Sequence, residues 1–256
     1  MSVAAQALPG VRRVEQIMGL PVVVDIRDDD DAAGPALERL FDCLRWVDAT
    51  FSTFKEDSEI SRINRGELLR DDAHPDVRRV LDRCDQLREE TRGYFDMRAP
   101  DGSIDPSGLV KGWAIDRAAA ILDDAGLHNY AVSGGGDMRV LGRAVPELTW
   151  RVGVQHPLER QQVAAVVEAT DLAIATSGAY ARGDHVWNPH SGLPPSGVLS
   201  VTIVGPELGT ADAYATAAFA MGPERGPQWT ARLAGYEAMT ILADEIVFKT
   251  GGFPDD

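Results

Sequence analysis

Apolar residues along the chain follow two rhythms, a helical one of about 3.6 residues and short β-branched runs. After a short polar lead, Met18-Gly19 introduces Pro21 to Ile26, a run that reads as a buried strand. Over residues 36 to 50 the rhythm changes, and Leu37, Leu40, Phe41, Leu44 and Val47 recur at helical spacing. Phe51 to Asn64 is more polar, with Thr53, Ser58 and Ser61 as candidate caps or ligand contacts. Residues 76 to 92 predict another amphipathic helix, ended by Gly93. Met97 to Gly108 is turn-rich and leads into a helix from about Lys111 to Ala125, closed by Gly126.

Strand-like segments then follow in series: Tyr130 to Ser133, Met138 to Leu141, Trp150 to Val154, Val163 to Glu168, Leu172 to Thr176 and Leu199 to Val204. Ala211 to Met221 predicts a helix with Gly222 at its C-terminal stop. A last strand pair spans Ala238 to Leu242 and Ile246 to Lys249. Helix pairs mixed with consecutive strands argue for an α+β fold, with largely antiparallel sheets packed with helices, over a doubly wound one. No internal repeat or low-complexity linker marks a clean boundary within residues 1–256, and the length fits one large domain or two small ones sharing an interface.

Charge narrows the class of partner. The 256 residues carry 40 acidic and 25 basic side chains, a formal net charge of -15. That field disfavours nucleic acid and anionic membrane. A small anion stays compatible, because a metal ion or a helix N-terminus offsets charge locally. The acidic run Asp28 to Asp31 reads as a solvated loop. Cys43 and Cys84, without a C-x-x-C or zinc spacing, read as packed thiols. The first residues, MSVAAQALPGVRRVEQ, lack an apolar core of a leader, which sets the expectation of a cytoplasmic protein.

Four segments carry candidate chemistry. In Thr210-Ala-Asp-Ala-Tyr-Ala-Thr216, Asp212 and Thr216 stand four apart and share a helix face. Together they supply hard oxygen ligands suited to magnesium, although a first-turn cap and a packed threonine explain the pair as well. In Asp105-Pro-Ser-Gly-Leu-Val-Lys-Gly-Trp-Ala-Ile-Asp116, small residues before a helix offer backbone amides to a phosphate, with Lys111 adding charge; the plain reading is a turn and a surface lysine. Ser133-Gly-Gly-Gly-Asp137 permits positive φ and close approach, and a tight connection between strands explains it nearly as well. It is not a G-x-G-x-x-G fingerprint. Thr176-Ser-Gly178 and His185-Val-Trp-Asn-Pro-His-Ser-Gly192 form the last group. His185 is a candidate general base there, against a structural histidine as the plain reading. A Ser177/His185/Asp triad stays open on spacing, without a G-x-S-x-G elbow.

The order of these segments is more specific than any one of them. Met-Gly, S-T-F-x-x-D-S-E-I-S-R-I-N, D-P-S-G-L-V-K-G-W-A-I-D, G-G-G-D, T-S-G, H-V-W-N-P-H-S-G-x-P and A-D-A-Y-A-T resemble the ApbE family of FAD:protein FMN transferases, from about Met18 to Gly222. The resemblance implies a magnesium-dependent enzyme that cleaves FAD, attaches FMN by a phosphoester to a Thr or Ser hydroxyl of a target flavoprotein, and releases AMP. FAD would lie between two closely associated subdomains, its rings near Met18, Phe54 and Tyr94-Phe95-Asp96. Ser107, Lys111, Trp113 and the backbone near Leu199 would line the rest. Magnesium would be held by Asp212, Thr216 and the carbonyl of Val110, with Ala215 close by. His185 would deprotonate the acceptor, and Asp212 would share the catalytic role. The chain departs from the family pattern at Asn188, where an Asp is usual, at Phe54, where Tyr or Trp is usual, and in a short Phe95 to Asp105 segment. The acceptor expected is a cytoplasmic flavoprotein. The alternatives are FAD hydrolysis to FMN and AMP, or a non-enzymatic FAD-binding protein.

Overall fold

Alternate residues of Leu20–Ile26 (β2) are buried: Leu20, Val22, Val24 and Ile26. This is the period of a strand with one face on a core. A tight turn precedes it, with Met18 at φ 57° and Gly19 at φ 72°, the two positive values a type I′ hairpin requires. The turn joins β2 to an antiparallel partner, Val11–Ile17 (β1). The polar lead is therefore a strand. Arg12, Arg13 and Glu15 interrupt its apolar pattern, as suits a sheet edge guarded by charge. The computed structural model describes residues 10–28, 31–99, 101–159, 161–178 and 186–255.

The helices Ala33–Phe51 (α1), Glu59–Asn64 (α2), Pro75–Glu90 (α3) and Ser107–Asp124 (α4) come next. The chain then runs through Tyr130–Gly134 (β3), Asp137–Leu141 (β4), Arg143–Val145 (β5), Leu148–Gln155 (β6), Val163–Ala169 (β7), Asp171–Gly178 (β8) and Val198–Gly205 (β9). Leu208–Thr230 (α5), Glu237–Leu242 (β10) and Val247–Lys249 (β11) complete it. Eight strands form one sheet in the order β1-β2-β3-β4-β8-β9-β10-β11, every neighbour antiparallel. Strands β5, β6 and β7 form a second, smaller sheet.

Two apolar layers flank the large sheet. On one face Val22, Val24, Ala173, Ala175, Val201 and Ile203 pack with Ile115 and Ala118 of α4 and Ala215 and Ala218 of α5. Helix α1 lies against α4 and β1. On the other face Ile174, Val204, Met239 and Ile241 meet Val154 and Val167 of the small sheet and Phe253 of the C-terminal tail. The antiparallel α+β architecture expected from the pattern is the one observed.

Several boundaries differ, each for a local reason. Helix α4 begins at Ser107, ahead of Lys111, so the small residues Ser107 and Gly108 are helical. Gly222 leaves the helix at φ 81° and ψ -172°, yet the chain resumes helical geometry at Pro223 and runs on to Thr230. A proline suits a first helical position, where its missing N–H is no loss. Asp28 is no free member of an acidic loop, because its carboxylate accepts from the amides of His128 (2.9 Å) and Asn129 (2.8 Å). Cys84 is buried and its thiol is pushed up to about 12 by that burial, whereas Cys43 is only partly covered. Ser58 caps α2, its hydroxyl accepting from Ser61 N. No described helix is long and apolar enough to cross a membrane.

Candidate active site

The site is built where α4 crosses the start of α5. At Gly112 the backbones approach so closely that an added Cβ would lie 2.6 Å from the Leu208 carbonyl oxygen. Asp116, one turn further along α4, accepts hydrogen bonds from the amides of Leu208 (3.0 Å) and Gly209 (2.9 Å). These are orphan donors of the first turn of α5, so a carboxylate from another helix does the work of an N-cap. Burial raises the Asp116 carboxyl above its ordinary value, and the two amide bonds pull the other way. Buried alanines 211, 213, 215, 217, 218 and 220 keep α5 thin enough to lie close on β8 and β9.

One turn into α5 the helix presents Asp212 and Thr216 on the face expected from their spacing. Lys111 of α4 reaches the same place, its Nζ 3.5 Å from Asp212 Oδ1 and 2.5 Å from Asp137 Oδ2. Asp137 comes from the glycine-rich segment. Gly135 (φ 63°) and Gly136 (φ 97°) make a two-residue turn, and Gly134 pairs with Asp137 to close the hairpin. The Asp137 side chain is fully buried, and its Oδ1 accepts from the amide of Thr176 at 3.0 Å. Beside the carboxylates, Ser177 of β8 and Thr216 share a hydroxyl–hydroxyl bond of 3.2 Å. Thr176, its neighbour in the strand, instead bonds Thr202 at 2.9 Å.

Two carboxylates and one ammonium leave this group with a formal charge of -1. The donors of Asp212, Thr216 and the Val110 carbonyl are all oxygen, the set preferred by a hard divalent ion. The lysine ammonium already stands where a cation is electrostatically favoured. Val110 and Ala215 are both buried against the same core, on α4 and α5 respectively. The residues present therefore fit magnesium.

The other residues singled out from the sequence spread around this centre. Met18 lies in the β1–β2 turn, partly buried on the core. Phe54 is 96% exposed, so its ring has no protein cover. Tyr94 packs edge-on against His190 (centroids 4.5 Å apart), and its hydroxyl accepts from Arg225 at 2.7 Å. Phe95 is buried against Gly108 at the start of α4, where an added Cβ would meet its ring at 3.1 Å. Asp96 pairs with Arg88 (2.7 Å) and Arg98 (3.3 Å). Ser107 opens α4, its amide donating to Asp105 Oδ1 at 3.0 Å. Trp113 sits between Phe51, 5.3 Å away, and the Arg117 guanidinium. The Leu199 side chain packs with the cluster on the far face of the sheet, away from Lys111. Asn188 makes a turn, its side chain accepting from His190 N at 2.9 Å. His185 lies outside the described residues.

Lys111, Ser177, Asp212 and Thr216 are thus brought together. Sequence reasoning left out Asp137 and Asp116 as site residues. Both stand at the ends of segments already singled out, the glycine run and the α4 motif, but their partners are remote in the chain.

A family model described as the ApbE family matches residues 18–101 and 97–240. The FAD:protein FMN transferase of Vibrio cholerae is 32% identical over 201 residues, covering 75% of this chain and 58% of its own. That of Escherichia coli K12 is 31% identical over 174 residues, covering 64% and 49%. The chain therefore spans about half the length of the curated relatives it matches. Among solved structures, a flavin transferase ApbE from Vibrio cholerae superposes with a TM-score of 0.85 at 23% identity, over 95% of this chain and 97% of that one. The ApbE protein of Thermotoga maritima gives 0.84 at 22% identity, over 95% and 97%. At these identities the structures share the fold.

Proposed function

Because the chain belongs to the ApbE family, we propose that it is an FAD:protein FMN transferase whose reaction centre is the Lys111, Asp212, Thr216 group. FAD is the substrate, and a Thr or Ser hydroxyl of a target flavoprotein is the acceptor. The hydroxyl oxygen attacks the phosphorus on the FMN side of the pyrophosphate. The bond from that phosphorus to the bridging oxygen breaks, AMP leaves with the bridging oxygen, and FMN stays on the acceptor as a phosphoester. The acceptor proton passes to a base, the role we assign to His185. We read residues 1–256 as one catalytic domain.

The arrangement of Lys111 and Asp212 supports this reading most directly, with an ammonium and a carboxylate held together beside paired hydroxyls. Asp212, Thr216 and the Val110 carbonyl would hold magnesium, with Ala215 alongside. Magnesium, when bound, polarises the phosphoryl oxygens and offsets the charge that develops on the leaving group. The Lys111 ammonium adds a second positive charge for the pyrophosphate. Asp116 fixes the first turn of α5 and hence the position of Asp212. Met18, Phe54, Tyr94, Phe95, Asp96, Ser107, Trp113 and the backbone near Leu199 are assigned to the remainder of FAD, and the uncovered Phe54 ring is free to stack.

The test is direct. The protein is incubated with FAD, Mg²⁺ and a candidate acceptor domain, and both products are followed by mass spectrometry and chromatography. Covalent FMN on a Thr or Ser of the acceptor, with matching AMP, supports transfer. AMP with free FMN replaces transfer by hydrolysis, and retained FAD without turnover replaces it by simple binding.

A further inference from the structure

Lys111 approaches two carboxylates, and the nearer one is not in the assigned metal donor set. Its Nζ is 2.5 Å from Asp137 and 3.5 Å from Asp212. Asp137 is fully buried, its backbone closed into a hairpin and its Oδ1 tied to Thr176 N. Both oxygens of Asp137 are already engaged, Oδ1 by the Thr176 amide and Oδ2 by the Lys111 ammonium. The two partners also differ in freedom. A lysine stem has rotatable bonds, and this one keeps 22% of its side chain exposed, whereas the shorter Asp137 side chain is fully buried and tied to Thr176 N.

We propose that Asp137 is a positioning residue that anchors Lys111 beside Asp212, so that the ammonium competes with a divalent ion for Asp212 and sets the ion's affinity before FAD arrives. The inference rests on the metal assignment of the proposed function. With Lys111 in place the acid pair is half neutralised, and an incoming divalent ion must share Asp212 with the ammonium or displace it. Anchored by Asp137, the displaced ammonium stays in the site instead of swinging to solvent. It is then at hand for a phosphate oxygen. Asp137 thus acts through Lys111 and touches neither metal nor substrate.

Mn²⁺ binding to FAD-free protein, followed by electron paramagnetic resonance, tests this without any turnover. Lys111→Met removes the competing cation and tightens Mn²⁺ binding about tenfold, within the range for neighbours in one ionic network. Lys111→Arg retains a cation, and its affinity stays within about twofold of wild type. Asp137→Asn takes the nearer carboxylate from Lys111, which then shifts toward Asp212 and weakens Mn²⁺ binding. In a Lys111→Met background the same Asn substitution has a smaller effect, so the double-mutant cycle is non-additive. Should Asp137→Asn fail to fold by circular dichroism, the contrast between Met and Arg at the partly exposed Lys111 decides.

Wild-type binding abolished by Asp212→Ala, with Lys111→Met no tighter than wild type, overturns the inference and leaves the metal assignment standing. An additive cycle overturns the role of Asp137. No Mn²⁺ bound by either wild type or Lys111→Met removes the metal assignment, and the inference with it.

Discussion

Gly112→Ala adds one carbon at the point where α4 and α5 touch. The new Cβ would stand 2.6 Å from the Leu208 oxygen, 2.7 Å from its carbonyl carbon and 2.8 Å from Gly209 Cα. All three are backbone atoms, so no rotamer change relieves the clash. Ordinary contact begins at about 3.4 Å, and the first turn of α5 must retreat by roughly 0.8 Å. That turn is tied to Asp116 by two hydrogen bonds, which the retreat stretches. Overpacking of this kind costs about 1–3 kcal/mol. Replacing a helical glycine by alanine returns up to about 1 kcal/mol. With three backbone contacts to relieve, the overpacking cost is taken at the middle of that range, about 2 kcal/mol, and the balance is a destabilisation of about 1–2 kcal/mol, or a fall in Tm of roughly 2–8 °C for a chain of this size. Asp212 lies one turn along the displaced helix and should lose its register with Lys111, so transfer should fall more than stability does. Urea unfolding and an FMN-transfer assay measure the two effects. Gly34→Ala is the control, since nothing lies within 4 Å of its added Cβ, and it should be neutral or mildly stabilising. A Gly112→Ala protein as stable and as active as wild type would refute the close-approach argument.

Asp212→Ala should lower Mg²⁺-dependent turnover by at least about 100-fold, and undiminished AMP release in that variant would remove Asp212 from the site. Thr216→Val loses a donor oxygen and the partner of Ser177, and should weaken metal affinity about tenfold, read as the Mg²⁺ dependence of the rate. His185→Asn should slow transfer about 100-fold, the usual contribution of a general base, with FAD binding by fluorescence retained. A rate equal to wild type would take His185 out of the mechanism. Asp116 gives a signed pH effect. Its raised carboxyl keeps a proton in the folded state above the ordinary value of 3.8, so its contribution makes stability fall as pH rises from there through the raised value. Asp116→Asn removes that slope and also loses one cap acceptor. Its stability deficit in urea should therefore narrow between about pH 4 and pH 7, and a deficit that widens would reverse the assigned sign.

The fold was legible wherever burial imposes a simple period. The alternation in Leu20–Ile26 and the heptad-like row from Leu37 to Val47 map directly onto β2 and α1, because one face of each is buried. Legibility fails where burial is partial, as in β1, whose edge position admits Arg12, Arg13 and Glu15. It fails also where a tertiary contact replaces a local signal. Helix α5 has no side-chain cap of its own, and its first amides are met by Asp116 from 92 residues away. Within the site, the pairing of Asp212 with Thr216 is local to one helix and readable from spacing. The meeting of Lys111 with Asp137 depends on how α4 lies over the β3–β4 hairpin, and no spacing within either segment encodes it.

The strand order has a consequence for synthesis on the ribosome. Among the described elements the β1–β2 hairpin precedes the rest, but the free edge of β2 is closed only by β3, after α1 to α4 have been translated. The β4–β8 and β9–β10 pairs close across shorter stretches of chain and add in nearly sequential order. Until Tyr130–Gly134 emerges, the nascent chain carries an unpaired β2 edge. A chain halted before β3 consequently presents the β2 edge to aggregation and to chaperone capture, and the appearance of β3 closes that edge.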